Sequence, residues 1–163
     1  MKKILIALLI VIVAIQFIPT EKNNSMDETY GIQTKYEIPG EVNDLFVAAC
    51  NDCHSNSTTY PWYSNIQPVG FWLDHHVNDG KKHLNFSNFT SLPLFVQKHK
   101  LDEVIEQVEE GEMPMASYTY LGLHPDAKLS LEQRETIINW AKQQISMLEA
   151  TYPADSLKFP KRK

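Results

Sequence analysis

The sequence predicts an all-α protein: a small helical domain with long loops, preceded by an N-terminal apolar helix that acts as a signal anchor. Apolar residues recur at spacings of three and four in several segments, and no run of alternating β-branched residues competes with them. The 163 residues leave room for one compact domain and short appendages. We expect residues 1–19 to form a signal anchor or signal peptide, 20–40 a linker, 41–150 the domain, and 151–163 a basic C-terminal tail.

The N-terminal segment has the composition of an export signal. Lys2 and Lys3 are followed by an apolar run over residues 4–18, which Pro19 ends. This run of roughly 15 residues is closer to a signal-peptide core than to the ~20 residues of a full membrane span. Because no small residue near its end offers a cleavage site, we expect an uncleaved anchor on the periplasmic side of the cytoplasmic membrane, with the lysines inside. Cleavage would instead give an exported soluble protein, and a buried core helix is the third interpretation.

Helical periodicity is clearest in three segments of the domain. It predicts one helix that ends at Cys50, a second that Gly111 ends, and a long final helix. The apolar positions are Val42, Leu45, Phe46 and Ala49; Leu101, Val104, Ile105 and Val108; and Ile137, Ile138, Ala141, Ile145 and Leu148. Ser130, followed three residues later by Gln133, is the capping-box pattern expected at the start of the final helix.

A fourth, shorter helix is expected over residues 69–78, with Gly80 as its stop. Long loops rich in proline and small polar residues, at 55–68 and 112–129, join these helices. Loops of this length in a small domain commonly surround a functional site. The sequence therefore predicts a cofactor or ligand site bordered by these two loops.

The charge of the chain argues against nucleic acid as a partner. The formal net charge is −5, and removing Lys2 and Lys3 from the 15 basic residues leaves 13 against 20 acidic ones. Nucleic-acid binding depends on neutralising phosphates with lysine and arginine. The basic tail, residues 161–163, is expected to be solvated, with contact to anionic lipid as the alternative.

The chemically most specific pattern is formed by the only two cysteines. Cys50 and Cys53 are separated by two residues, and His54 follows directly. In an exported bacterial chain this pattern is the attachment signature of c-type haem. The two thiols add to the two haem vinyl groups, and the adjacent histidine offers a ring nitrogen to the iron. We therefore expect one covalently bound haem c, with Asn51 and Asp52 as spacers.

Three other interpretations of the cysteine pair remain open. A thioredoxin-like redox pair normally follows a strand in a βαβ unit, which this sequence lacks. A zinc site needs four ligands, and there is no second cysteine pair. A disulfide would close a very short loop and would stabilise the fold little.

A low-spin haem iron takes a sixth ligand, for which Met113 is the leading candidate. Pro114 disfavours helix at Met113, so the thioether can extend from a loop toward a flat cofactor. Alternatively, Met113 and Met115 fill gaps in an irregular core. His76 and His75 are rival ligands, although a histidine on an apolar face more often hydrogen-bonds a carbonyl.

The aromatic residues of the 55–78 region are candidates for the wall of the cofactor pocket. A porphyrin requires large, flat, apolar partners. Trp62, Tyr63, Phe71 and Trp72 are therefore predicted to line the pocket, with simple core packing as the alternative.

A family resemblance rests on the segments 50–56, 60–69, 84–87, 111–114 and 124–129, together with Trp72, His75, His76, Val77, Gly80, Tyr118 and Trp140. In these residues the domain resembles the exported haem-binding-domain family of bacterial c-type cytochromes. The resemblance extends over roughly residues 41–148. It implies a monohaem, mostly helical, cytochrome c-like domain in which a Met-Pro loop supplies the distal ligand. The insert at 60–77, with its paired histidines, departs from simpler cytochromes.

These observations lead to the expectation of an electron carrier without a catalytic group. Its partners would be redox proteins outside the cytoplasmic membrane and, through the N-terminal segment, the membrane itself. The row of acidic residues on the second helix is either a solvated surface or a steering surface for a basic redox partner. Two other functions stay open: a gas or redox sensor with a vacant distal position, and a small peroxidase with His76 as its acid-base residue.

Overall fold

The structure is a computed structural model that describes residues 1–160, and this range contains helices but no β-strand. Seven α-helices are formed: α1 (Lys2–Ile15), α2 (Gly40–Ala49), α3 (Asn51–His54), α4 (Val69–His83), α5 (Leu94–Glu110), α6 (Ala116–Thr119) and α7 (Leu131–Thr151). Short 3-10 helices lie at Ile32–Thr34, Trp62–Asn65, Phe86–Ser91, Tyr120–Gly122, Pro125–Ala127 and Ala154–Leu157. The all-helical prediction is confirmed for this range.

The hydrophobic core lies mainly between α5 and α7, and α2 packs against α7. Leu101 of α5 and Ile137 and Leu148 of α7 belong to this core, and all three side chains are fully buried. Phe46 of α2 stacks on Phe86 with ring centroids 4.8 Å apart. The predicted apolar faces of these three helices therefore pack against one another.

The predicted helix ends near Gly111 and Ser130 are confirmed. Gly111 ends α5 in the left-handed conformation, with φ of 81°, which glycine adopts without a steric penalty. Ser130 and Gln133 form both hydrogen bonds of the capping box at the start of α7. Arg134 also donates to the carbonyl of Val108 at 2.9 Å, which satisfies an acceptor at the end of α5.

The prediction that Gly80 stops the fourth helix was wrong. The helix α4 continues through Gly80 to His83. A Cβ at Gly80 would come within 2.6 Å of the carbonyl oxygen of Cys53. The glycine therefore permits close packing of α4 on α3, which is a long-range contact that the local pattern does not reveal.

The prediction that the N-terminal helix is a signal anchor is also corrected. Helix α1 has 14 residues, a length of about 21 Å against a hydrocarbon thickness of ~30 Å. Among residues 1–160, no helix combines the length and the apolar character that a membrane crossing needs. The chain turns back onto the domain directly after α1: Gln16 exchanges two hydrogen bonds with the backbone of Gln67, and the Gln67 side chain donates to the carbonyl of Ile18.

Residues 20–40, expected to be a linker, pack against the domain. The Asn23 amide donates to the Ser55 carbonyl and to Thr58 Oγ1, at 2.9 and 2.8 Å. Ile32 and Tyr36 belong to the hydrophobic core. The Tyr36 hydroxyl donates to Gln97 Oε1 of α5 at 2.7 Å. This segment is therefore part of the folded domain.

The C-terminal segment after α7 also contacts the domain. Leu157 packs against the core, and Phe159 lies edge-on against Phe95 of α5, with ring centroids 4.9 Å apart. The basic residues 161–163 lie outside the described residues.

Candidate cofactor site

One cavity of about 410 Å³ brings together the residues that the sequence marked for haem attachment. Cys50, Cys53 and His54 border it together, and Met113 borders it from a different segment, which follows α5. Its apolar wall is formed by Phe46, Ala49, Leu84, Phe86, Val104, Val108, Pro114 and Ile137. A cavity of this volume and character is typical of sites for small organic cofactors.

His54 is fixed in the orientation and tautomer that a metal ligand requires. Its Nδ1 lies 3.1 Å from the carbonyl oxygen of Gly80 and 3.0 Å from that of Leu84. Because a carbonyl only accepts hydrogen bonds, Nδ1 must carry the proton. Burial lowers the pKa of His54, so the ring is neutral and Nε2 keeps its lone pair. Such backbone support of the second ring nitrogen is characteristic of metal-binding histidines.

The two cysteines are free thiols that the fold keeps protonated. Burial raises the pKa of Cys50 to about 12, and the neighbouring Cys53 adds to the effect. Burial raises the pKa of Cys53 to about 11, with a further contribution from the charge of Asp52. Redox-active dithiols have lowered pKa values, because the thiolate is the reactive species. The environment of this pair is therefore unlike that of a thioredoxin-type site.

The methionine segment follows directly after α5. The Met113 N–H donates to the Gln107 carbonyl at 3.1 Å, which folds the chain back under the end of that helix. Met113 and Met115 are both half-buried, and both line the cavity. The proline between them keeps the segment out of helix until α6 begins.

Of the two rival histidines, only His76 is among the residues that line the cavity within the described range. His76 Nδ1 donates to the Trp72 carbonyl at 2.8 Å, so its Nε2 is also without a proton when the ring is neutral. The imidazole lies against the Trp72 ring, with ring centroids 4.2 Å apart. Besides His54, the lining within the described range therefore offers two kinds of further iron donor: the thioethers of Met113 and Met115, and the imidazoles of His76 and His83.

Within residues 1–160, none of the predicted pocket residues Trp62, Tyr63, Phe71 and Trp72 borders this cavity. Trp72 lines a smaller neighbouring pocket, which shares Cys53, His76 and Met115 with the cavity. Trp62 is 76% exposed and Trp72 is 44% exposed. Phe46 and Phe86 supply the aromatic wall instead. Phe46 precedes Cys50 by four residues, so helical spacing in the first predicted helix could have placed it near the attachment motif. Phe86 reaches the cavity through tertiary packing alone.

Asp52, expected to be a mere spacer, has two specific partners. Its Oδ1 accepts a hydrogen bond from the Thr59 N–H at 2.8 Å. Its Oδ2 accepts one from the Tyr118 hydroxyl at 2.6 Å. The only sequence signal for this role was the position of Asp52 inside the attachment motif.

Two further features bear on the kind of ligand. Asp79 of α4 and Glu103 and Glu106 of α5 also border the cavity, and His83 borders it beside Asp79, with 3.7 Å between His83 Nε2 and Asp79 Oδ1. Within residues 1–160, no three histidine, cysteine, aspartate or glutamate side chains are grouped closely enough to hold a metal ion by themselves. A zinc site is therefore disfavoured, whereas a metal held within a macrocycle needs only one or two protein ligands.

The donor set fits haem. An oriented imidazole, two thiols beside it, a thioether in the same lining and an apolar wall are the groups expected around an iron porphyrin. The model of the haem-binding domain family matches residues 10–143 of the chain. The chain belongs to the haem-binding domain family. Neither the search of curated proteins nor the search of solved structures found a significant match. As a haem-binding domain, the protein takes haem as its ligand, and the cavity beside α3 is the site that suits it.

Proposed function

We propose that the protein is a monohaem c-type cytochrome that transfers single electrons between redox partner proteins outside the cytoplasmic membrane. Cys50 and Cys53 hold the haem covalently, His54 binds the iron, and Met113 completes the coordination. Bound haem supplies an iron that gains or loses one electron. No acid-base residue is required for this function.

The proposal rests mainly on the tautomer and the hydrogen bonds of His54, which lies beside the two cysteines. Its Nδ1 is held by two backbone carbonyls, while Nε2 retains a lone pair for a metal. Cys53 is the residue directly before it, and Cys50 lies one helical turn back in the same lining. This combination supports covalent attachment on the side of the cofactor where the histidine binds.

Attachment requires no oxidant or reductant. Each thiol adds across a vinyl double bond: a carbon–sulfur bond forms, the sulfur–hydrogen bond breaks, and the proton goes to the neighbouring vinyl carbon. Because both folded thiols are protonated and buried, we expect attachment to precede complete folding.

The exported location is supported by the N-terminal sequence. Lys2 and Lys3 followed by the apolar residues of α1 have the composition of a signal segment. The acidic residues beside the cavity, Asp79, Glu103 and Glu106, suit a redox partner with a basic surface. An association of this kind weakens as salt rises.

Covalent attachment is tested on protein from a host that matures c-type cytochromes. The denatured chain should keep its haem on a gel and gain the mass of one haem. Cys50→Ala and Cys53→Ala should each retain less haem, and the double variant none. Release of all haem from the denatured wild type would contradict thioether attachment.

The sixth ligand is tested by the weak red absorption band that a thioether gives on ferric haem. Met113→Ala should abolish this band and lower the reduction potential, since methionine ligation raises it. Met115→Ala is the matched control, because Met115 borders the same cavity two residues away, and it should leave the band in place. If His76→Ala alone changes the spectrum, the iron has two histidine ligands. A native protein without the band that binds carbon monoxide readily would favour the sensor.

A further inference from the structure

One hydrogen bond joins the attachment motif to the segment that carries Met113. The Tyr118 hydroxyl donates to Asp52 Oδ2 at 2.6 Å across 66 residues of sequence. Asp52 lies between the two cysteines, and Tyr118 lies in α6, which begins two residues after Pro114. Asp52 and Tyr118 both border the cavity. The contact therefore connects the segment that carries Cys50, Cys53 and His54 directly to the segment that carries Met113.

Both partners of this hydrogen bond are themselves held. The other oxygen of Asp52 accepts from the Thr59 N–H, and the Asp52 carbonyl accepts from the Thr58 hydroxyl at 2.6 Å. The Tyr118 ring stacks on His124, with centroids 4.0 Å apart and planes 12° apart. His124 Nε2 in turn lies 3.1 Å from the Tyr63 hydroxyl.

These contacts unite three segments that are distant in sequence: the attachment motif, the 55–68 loop and residues 113–124. Tyr118 is half-buried, and burial together with Asp52 raises its pKa, so the phenol remains a donor at neutral pH. Charge-assisted hydrogen bonds of this type are roughly twice as strong as neutral ones. The methionine segment otherwise has a single described backbone hydrogen bond between Met113 and the rest of the chain, to Gln107.

We propose that Asp52 and Tyr118 are positioning residues that hold the methionine segment against the haem site and thereby set how firmly Met113 binds the iron. His124 and Tyr63 support Tyr118 from its other face. Neither Asp52 nor Tyr118 touches the reacting iron in this role. The proposal rests on Met113 as the sixth ligand and adds the residues that control it.

The test compares Tyr118→Phe with Tyr120→Phe in the full haem-loaded chain. The substitution removes the same hydroxyl in both, and the Tyr120 side chain is exposed. Backbone hydrogen exchange across residues 113–119 should become roughly tenfold faster in Tyr118→Phe, as expected when a hydrogen bond to a charged group is lost. The exchange rates of α5 and α7 amides should not change, which separates loss of the contact from general unfolding.

The second readout is the iron itself. Tyr118→Phe should weaken the thioether band, lower the reduction potential and speed the binding of added imidazole, while Tyr120→Phe should match the wild type. Asp52→Asn keeps an acceptor for the tyrosine hydroxyl. Its thioether band, reduction potential and rate of imidazole binding should therefore be intermediate between those of Tyr118→Phe and the wild type. Unchanged exchange, band and potential in Tyr118→Phe would overturn the proposal.

The measurements distinguish an error in the positioning role of Asp52 and Tyr118 from an error in the assignment of Met113 as the sixth ligand. If the wild type lacks the thioether band, Met113 is not the ligand, and the hydrogen-exchange comparison still decides whether the Asp52–Tyr118 contact holds residues 113–119. If the wild type has the band and Tyr118→Phe retains it with unchanged exchange, Met113 remains the ligand and the positioning role is wrong.

Discussion

The two sides of the cavity are built by different means. On the attachment side, residues 50–54 pack against α4 at a separation that only a glycine permits, and two backbone carbonyls hold His54. On the methionine side, residues 113–119 comprise a short bent segment followed by the four-residue helix α6. A side-chain hydrogen bond from Tyr118 links this second side to the first. The attachment side is thus fixed by backbone packing, whereas the methionine side depends on individual side chains.

This difference has a functional consequence. A ligand held by backbone packing cannot be released without disturbing α3 and α4 together. A ligand on a segment held by few side-chain contacts can be tuned or lost by local changes, because such segments open with low free energies. We therefore expect variants on the attachment side to affect stability and variants on the methionine side to affect the spectrum and the potential.

The largest expected effect is on the alkylation rates of the two buried cysteines in protein that is produced without haem. Only the thiolate is alkylated, and the pKa values of about 11 for Cys53 and about 12 for Cys50 lie above the ordinary value of 9.0. At pH 8 we therefore expect Cys53 to be alkylated roughly 100-fold more slowly in the folded protein than in urea, and Cys50 roughly 1,000-fold more slowly. Mass spectrometry of the alkylated chain gives both rates. Equal rates in the folded and unfolded chain would mean that the attachment side is open.

The next effect tests the close packing of α4 on α3. Gly80→Ala should lower the free energy of unfolding by about 1–3 kcal/mol, because the added methyl group collides with the Cys53 carbonyl. Gly40→Ala is the control, since no atom lies within 4 Å of a Cβ built there. It should be neutral or stabilising by up to about 1 kcal/mol. Urea unfolding measures both variants, and equal effects would refute tight packing at Gly80.

A smaller effect is expected from Met113→Ala in the haem-free chain. Met113 is half-buried in the cavity lining, so its loss should cost less than about 1 kcal/mol. A fully buried methionine that fills the core would cost about 2–5 kcal/mol. A loss in the higher range would identify Met113 as a packing residue and would weaken its assignment as a ligand.

The smallest expected effect is a loss of folding stability at alkaline pH that arises from Tyr118 on the methionine side. Burial, followed by the hydrogen bond and the charge of Asp52, raises the pKa of Tyr118 above its ordinary value of 10.0. The neutral phenol therefore stabilises the fold fully below pH 10, and this contribution decreases as the pH rises above 10. Between pH 8 and 10.5 the wild type should lose more stability than Tyr118→Phe. An identical decrease in both proteins would contradict the raised pKa.

Several features could be predicted from the sequence because their causes are local. The capping box at Ser130, the left-handed Gly111 and the apolar faces of α2, α5 and α7 depend on residues within a few turns of one another. The attachment motif is equally local, since two cysteines and a histidine within five residues must lie close together in any fold.

Other predictions failed because long-range contacts decide them. The local pattern predicts a helix stop at Gly80, but the tertiary neighbour of this residue is Cys53. Residue type favours Trp62 and Trp72 as pocket residues, whereas Phe46 and Phe86 border the cavity in the structure. The N-terminal apolar run predicts an anchor, but α1 is too short for a membrane span, and Gln16 after it hydrogen-bonds to Gln67.

The helical class, the end of α5, the start of α7 and the residues that could carry haem chemistry are already specified by the amino-acid sequence, because they follow from periodicity and from spacing along the chain. Tertiary packing determines which aromatic rings form the cavity wall, holds His54 with its proton on Nδ1, and brings Asp52 to Tyr118 across 66 residues of sequence. Such contacts arise when helices pack to bury a common core. Which residues contact each other across the domain depends on how all the helices pack, and the periodicity of the sequence does not specify these pairs.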